Sequence, residues 1–180
     1  ESPAKQDSGV GWRRSLTPHL NSRGIYCFDP TKEEVQKVGM PTEELIKKLQ
    51  GWQQSGNWKL FTENMNLIWR GATKLQEHPE SHEPQMYHIL GDVDYVENSD
   101  FLIWTFHDGD KLGGTIAELV IAWYNSIPVY LVTDVAKTTI NKSLLYFTLD
   151  SGNGRGKIFK NYGELLSFID GEYHLNIVGE

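Results

Sequence analysis

The sequence has a single cysteine, Cys27, and no run of lysine or arginine residues. One cysteine cannot form a disulfide within the chain, which excludes the class of small domains held together by disulfides. The formal net charge is −7, so the chain lacks the basic surface that binds the phosphates of polymeric nucleic acid. It also has no long apolar stretch and no signal-like segment. We therefore expect a soluble, cytoplasmic protein that does not enter a membrane.

The residues that are present are sufficient for one substantial core. With 180 residues, of which 39% are hydrophobic and 12% aromatic, we expect a single domain over residues 1–180. His78, His82 and His88 stand in a stretch rich in proline and glutamate. Their spacing is not that of a ligand pair on one helix and no cysteine joins them, so we expect neither a metal site nor a cofactor.

The stretch 100–133 predicts a strand, a helix and a second strand in one unit. Phe101–Phe106 is a short apolar run that is typical of a strand buried on both faces. A polar, Gly-rich turn and apolar residues at helical spacing follow, and Pro128 stops that helix before the strand Val129–Val132. The two strands of such a β-α-β unit should be parallel and joined by a right-handed crossover.

Helices and short strands are predicted on both sides of this unit. The predicted elements are helices at 12–22, 42–76 with an interruption near 51–57, 86–98 and 162–169, strands at 25–28 and 157–160, and a flexible turn at 151–157. The apolar stripe of 42–76 is typical of core packing. Its three tryptophans leave a lid or a subunit contact as the alternative.

Acidic residues and glycines gather where parallel sheets bind ligands, beyond the carboxyl ends of the strands. These residues are Asp108, Asp110, Gly113, Gly114 and Glu118. In Thr115-Ile116-Ala117-Glu118 the glutamate can complete a capping box, which requires no ligand. It can also be a nucleophile, because a helix N-terminus favours an ionised carboxylate, and a displacement at an anomeric carbon needs one. A second acid must then protonate the leaving group, and Asp92, Asp108 and Asp110 are the candidates.

Around these residues the chain resembles the nucleoside 2-deoxyribosyltransferase family, whose relatives include 2-deoxynucleoside 5-monophosphate N-glycosidases. The matching residues are Asp92, Asp100, Gly114-Thr115-x-x-Glu118, Pro128-Val129, Asn141 and 159–168, with Trp12-Arg13 and 24–30 upstream. The resemblance covers most of the chain except about 32–85. It implies an α/β fold with a doubly wound, flavodoxin-like parallel sheet of about five strands and helices on both faces, to which 42–76 adds a helical insertion.

The resemblance also implies roles for individual residues. Glu118 would form a covalent deoxyribosyl-enzyme, and Asp92 would contact or protonate the base. Asn141 would hold the 5-hydroxyl of the sugar, in many members from a neighbouring subunit, so a homo-oligomer is expected. The second loop acid usually stands two residues before the glycine, where this chain has Leu112, so Asp110 is the residue expected in that role.

Further side chains complete the expected site. Asp108 and Gly114 would line it, and Phe106 and Trp104 can stack on a base, although core packing is an equal alternative for Trp104. Arg13, Arg14 or Arg155 can hold a 5-phosphate. The expected partners are a nucleoside or nucleotide and a free base, and the family's first strand is expected just before Glu1.

Three functions remain open from the sequence. The leading one is an enzyme that cleaves the N-glycosidic bond of a 2-deoxynucleoside or its 5-monophosphate and passes the sugar to another base or to water. The second is a non-catalytic nucleotide-binding or sensing module of the same fold, in which the acids act as caps and surface. The third is a phosphoribohydrolase, because Gly113-Gly114-Thr115 with Glu118 matches part of that family's Gly-Gly-x-Gly-Thr-x-x-Glu motif.

Overall fold

The computed structural model describes residues 10–29, 38–76, 85–110 and 112–173. The chain divides into two compact units, one formed by Glu1–Phe28 with Ser99–Glu180 and the other by Asp29–Asn98. None of the described helices is long and apolar enough to cross a membrane. The single domain expected from chain length stays a prediction.

Within the described residues the fold is mixed α/β, and each kind of element is numbered in chain order. The helices are α1 (Val10–Asn21), α2 (Thr42–Ser55), α3 (Trp58–Arg70), α4 (Asp92–Glu97), α5 (Gly113–Tyr124), α6 (Lys142–Gly154) and α7 (Tyr162–Glu172). The strands are β1 (Ala72–Gln76), β2 (Gln85–Ile89), β3 (Leu102–Phe106), β4 (Val129–Thr133) and β5 (Lys157–Phe159).

The first unit contains a parallel sheet in the order β3, β4, β5. β3 pairs with β4 from Leu102 opposite Val129 to Phe106 opposite Thr133, which confirms the predicted β-α-β unit. All five residues of β4 are buried, as expected for a central strand that is covered on both faces. The described part of this sheet has three strands and not about five, so the flavodoxin-like sheet inferred from the resemblance is only partly present there.

One face of this sheet carries a core built with α1 and α7. Its buried members are Leu16, Leu20, Tyr130, Val132, Phe159, Leu165 and Ile169. Ile25 and Cys27 pack against the same cluster, while Tyr26 between them is 78% exposed. The stretch 25–28 therefore alternates as the predicted strand would, but it pairs with no strand among the described residues, so the predicted strand is absent there. Leu119 and Ala122 of α5 are buried, and α6 packs beside α5.

The Gly-rich run that follows the regular part of α6 is held by buried hydrogen bonds and is not a loose turn. Ser151, Gly152 and Asn153 have non-helical backbone angles. The Ser151 Oγ accepts a hydrogen bond from the Val129 N–H at 2.8 Å and donates one to the Thr148 carbonyl at 2.6 Å. Because Val129 opens β4, this hydroxyl joins the end of α6 to the central strand.

Ser151→Ala is expected to lower the free energy of unfolding by about 2 kcal/mol, because it leaves a buried N–H and a buried carbonyl without their partner. Urea unfolding followed by circular dichroism measures the change. Ser143→Ala is the control, since Ser143 is exposed in the first turn of α6 and should change stability little. Equal midpoints for the two variants would contradict the assigned role of Ser151.

An exposed ion pair joins the segment after α1 to α7. The Arg23 Nε donates to Asp170 Oδ1 at 2.6 Å, and Nη2 donates to Oδ2 at 3.0 Å. The hydrogen bond from Arg23 lowers the pKa of Asp170, and their opposite charges act in the same direction. Since the pKa is lower in the folded state, the contribution of the pair is present above the ordinary carboxyl pKa and is lost as the pH falls through the folded one.

Asp170→Asn is therefore expected to reduce stability slightly at pH 7, with a difference from wild type that shrinks below about pH 4. Urea midpoints of both proteins across the acidic range test this. A difference that stays constant from pH 7 to the acid limit would show that the charge of Asp170 contributes nothing.

The second unit contains α2, α3, an antiparallel hairpin of β1 and β2, and α4. Two helices with a break between them confirm most of the prediction for 42–76, but Ala72–Gln76 is a strand, because Gly71 takes a left-handed φ of 71° and ends α3. The helix predicted at 86–98 is wrong in its first half. Gln85–Ile89 pairs with β1, and only Asp92–Glu97 is helical, since short apolar runs fit either period.

Candidate functional site

The carboxyl ends of β3 and β4 are tied together by one threonine. The Thr133 Oγ1 donates to the Phe106 carbonyl at 2.6 Å and accepts from the Val135 N–H at 3.1 Å. This side chain therefore fixes the starting points of the two loops that follow the strands. Phe106, predicted to contact substrate, is half-buried there with its ring centroid 6.2 Å from that of Trp104.

The loop between β3 and α5 is shaped by its own acid. The Asp110 Oδ2 accepts from the His107 N–H at 2.7 Å, and the Asp110 N–H donates to the His107 carbonyl at 3.1 Å. The His107 imidazole also lies 3.3 Å from Asp134 Oδ1, which begins the loop after β4. Asp108 is exposed in this turn. One oxygen of Asp110 is thus engaged by the turn.

The start of α5 differs from the capping box considered from the sequence. The helix begins at Gly113, with Leu112 as its N-cap residue and no side-chain cap. Thr115 and Glu118 are therefore both inside the helix, so Glu118 does not close a box with Thr115. Glu118 is half-buried, and a Cβ built on Gly113 would meet no atom within 4 Å. The first turn, which includes the exposed Gly114, is open on that side.

Asn141 stands at the beginning of α6. Its Oδ1 accepts from the Ser143 N–H at 2.9 Å, which caps the helix. Since α6 follows β4, Asn141 lies in the connection that leaves the carboxyl end of that strand. The residue is exposed, as an amide offered to a ligand or to another subunit would be, but its carbonyl oxygen already has a backbone partner.

Arg13 belongs to α1 of the same unit. Its guanidinium carbon lies 4.9 Å from the centroid of the Trp12 ring, a cation–π contact that orients the side chain. Arg13 is half-buried, while Arg14 next to it is exposed.

Asp92, the acid expected to meet the base, belongs to the other compact unit. It is the first residue of α4 and only 8% exposed. Its position is set by Gly91, where an added Cβ would lie 2.4 Å from the Gly71 nitrogen. Asp94 completes the turn, because its Oδ2 accepts from the Gly91 N–H at 2.8 Å and lies 3.0 Å from His88 Nε2. Asp92 is thus a buried acid at the start of a helix, directly after a glycine that packs closely against the backbone of Gly71.

The predicted site residues fall in both compact units. Phe106 ends β3, and the residues that follow β3 and β4 in the same unit are Asp108, Asp110, Gly114, Glu118 and Asn141. Arg13 lies in that unit too, and Asp92 lies in the other. Three residues at this edge were not predicted from the sequence: Thr133, His107 and Asp134. The sequence does mark them, because each is a polar residue at the end of an apolar strand or directly after it. Among the residues that the structure describes, no three His, Cys, Asp or Glu side chains gather as a metal ion would require.

Comparison of the chain with protein-family models, with curated proteins and with solved structures found no match in any of the three.

Proposed function

We propose that this protein is an N-glycosyl transferase or hydrolase that cleaves the base–sugar bond of a 2-deoxynucleoside or its 5-monophosphate. The observation that carries the proposal is the position of Glu118, half-buried inside a helix that starts at the carboxyl end of a parallel strand. Glu118 stands in the second turn of α5, past the helix cap. The ligand-binding edge of a parallel sheet is where a nucleophile is useful.

The proposed reaction uses two carboxyl groups. A Glu118 oxygen forms a bond to C1 of the sugar while the C1–N bond breaks, and the electron pair of that bond goes to the base nitrogen. The leaving base takes up a proton from a second acid, the role that the resemblance implies for Asp92. Another base or water then attacks C1, gives up its proton to the carboxylate of that second acid and releases Glu118, so that two displacements retain the configuration. No cofactor is needed.

The remaining predicted residues would bind substrate. Phe106 offers a ring for stacking on the base, and Arg13 a guanidinium for the 5-phosphate. Asn141 would meet the 5-hydroxyl through its amide nitrogen, since its oxygen caps α6. Asp108 and Gly114 would line the sugar. Asp110 would act through its second oxygen, the first being used by the turn.

The proposal includes the wider sheet of the resemblance. A flavodoxin-like sheet would place one further parallel strand along β3, the edge strand of the described sheet, with 25–28 beyond it. The alternation at 25–28 supports this, because Ile25 and Cys27 pack on the core of α1 and α7 as alternate residues of a strand would. A homo-oligomer, cytoplasmic location and a role in nucleotide salvage belong to the same proposal.

Incubation with each common deoxynucleoside and its 5-monophosphate, with and without a second free base, tests the function. The products are separated by chromatography. Release of a base supports a hydrolase, and appearance of a new nucleoside supports a transferase. Intact substrate in every combination would overturn the enzymatic proposal.

A second candidate is a non-catalytic module that binds nucleotides. The specific observation in its favour is that Asp110 and Asn141 each use a side-chain oxygen to accept a hydrogen bond from a backbone N–H of their own turn. Such a module would bind a deoxynucleotide in calorimetry without turnover. Binding without release or exchange of a base is therefore the result that selects it.

A further inference from the structure

One exposed face of α6 combines apolar side chains with two opposite charges. It surrounds a shallow depression of about 390 Å³ and is formed by Lys142, Leu145, Tyr146, Leu149 and Asp150. Tyr146 is 53% exposed and Leu149 44% exposed, although both lie on a helix whose opposite side is buried. We call these five residues the α6 face. Exposed apolar residues rimmed by charge are typical of protein–protein contacts.

The charges of the α6 face are arranged symmetrically about its centre. Lys142 stands at the beginning of the helix, Asp150 follows eight residues later, and Tyr146 is midway between them. At the rise of an α-helix the two charged residues are about 12 Å apart along the axis. Turning the face by half a turn about Tyr146 exchanges the positive end with the negative one, which is the symmetry of a self-complementary contact.

We propose that the α6 face binds the α6 face of a second copy of this chain, with the two helices antiparallel about a two-fold axis near Tyr146. Lys142 of each copy then lies opposite Asp150 of the other, while the leucines and tyrosines fill the centre. The inference locates the contact between the subunits of the proposed homo-oligomer, and it rests only on that part of the proposed function. It assigns the contact to a surface that the expected site residues do not include.

Asp150 is already oriented for this contact. Its Oδ2 accepts from Trp123 Nε1 at 2.8 Å and from the Tyr146 hydroxyl at 3.2 Å, which fixes the carboxylate beside the centre of the face. Lys142 makes no ion pair with any described residue, so its charge is available to a partner. A side chain that is fixed before association loses less conformational entropy on binding.

Charge reversal tests the pairing directly by light scattering after size-exclusion chromatography. Wild type is expected to contain at least two chains. Lys142→Glu and Asp150→Lys should each weaken association about tenfold or more, because each places like charges opposite one another twice in the dimer. The double variant should regain most of the lost affinity, since both pairs are restored with reversed sign.

Two further variants make the test independent of folding and of catalysis. Leu149→Glu should give a monomer, and Ile46→Glu is its control, a helical residue with the same 44% exposure outside the face. Wild type that is monomeric, or a double variant no better than either single one, overturns the proposed interface. A dimer that releases no base would contradict only the proposed enzymatic function. A monomer that releases base would contradict only the proposed interface.

Discussion

Glu118→Gln is expected to slow base release or exchange by about 10,000-fold, the scale seen when a covalent nucleophile is removed. The amide has nearly the size of the carboxylate but cannot donate an electron pair to C1 in the same way. Since Glu118 lies inside α5 and does not cap it, the change should leave the fold unaltered. The rate is measured by chromatography, and circular dichroism checks the fold.

The control for this variant is Glu172→Gln, at the exposed end of α7. Its rate should equal that of wild type. Mass spectrometry of protein quenched during turnover adds a second readout, because a deoxyribosyl adduct should form on wild type and be missing from Glu118→Gln. A fully active Glu118→Gln protein would remove Glu118 as nucleophile, whatever the substrate.

The largest loss of stability is expected from Gly156→Ala, which should lower the free energy of unfolding by about 3 kcal/mol or more. A Cβ on Gly156 would lie 1.7 Å from the Thr148 carbonyl oxygen and 2.5 Å from Ser151 Oγ. The first atom belongs to the backbone of α6, so it cannot move aside as the end of a flexible side chain could. Relief would require the link between α6 and β5 to shift.

Gly171→Ala is the matched control for Gly156→Ala. No heavy atom lies within 4 Å of a Cβ built there, and the residue is helical, in α7. Replacing a helical glycine by alanine should stabilise the protein by roughly 0.5–1 kcal/mol. Urea unfolding of both variants measures the two changes, and a similar effect of both would show that the contact at Gly156 is easily relieved.

The elements that the sequence predicts correctly are those whose boundaries are set by strong local signals. Pro128 separates α5 from β4, and the apolar runs that flank α5 have the length of buried strands, so the β-α-β unit follows from local chemistry. The amphipathic pattern around 42–70 likewise predicts two helices. In these cases local preference and tertiary packing favour the same structure.

The errors occur where two structures satisfy the same local pattern. The apolar positions from Met86 onward fit a helix, but pairing with Ala72–Gln76 selects a strand for 85–89. The periodicity of residues 86–98 carries no information about a partner strand elsewhere in the chain. The glycine pair Gly71 and Gly91 is equally invisible locally, since its close backbone approach exists only after folding.

The candidate site, too, could be predicted only in part. That acids would gather beyond β3 follows from the order of elements, and the structure has Asp108, Asp110 and Glu118 after that strand. How each acid is used depends on hydrogen bonds one or two residues away. Asp110 turns back to His107, and α5 starts two residues before Thr115, so neither the loop acid nor the capping box could be resolved from spacing alone.

The buried hydroxyl of Ser151 has a consequence for engineering this chain. Composition alone would recommend the adjacent run Gly152-Asn153-Gly154 as the place to insert a tag or a cleavage sequence. A Cβ on Gly152 would already lie 2.8 Å from Pro128, and Ser151, directly before the run, accepts the hydrogen bond from the first N–H of the central strand. Added residues there would pull on the middle of the sheet, so the segment that looks most like a linker is among the least suitable for one.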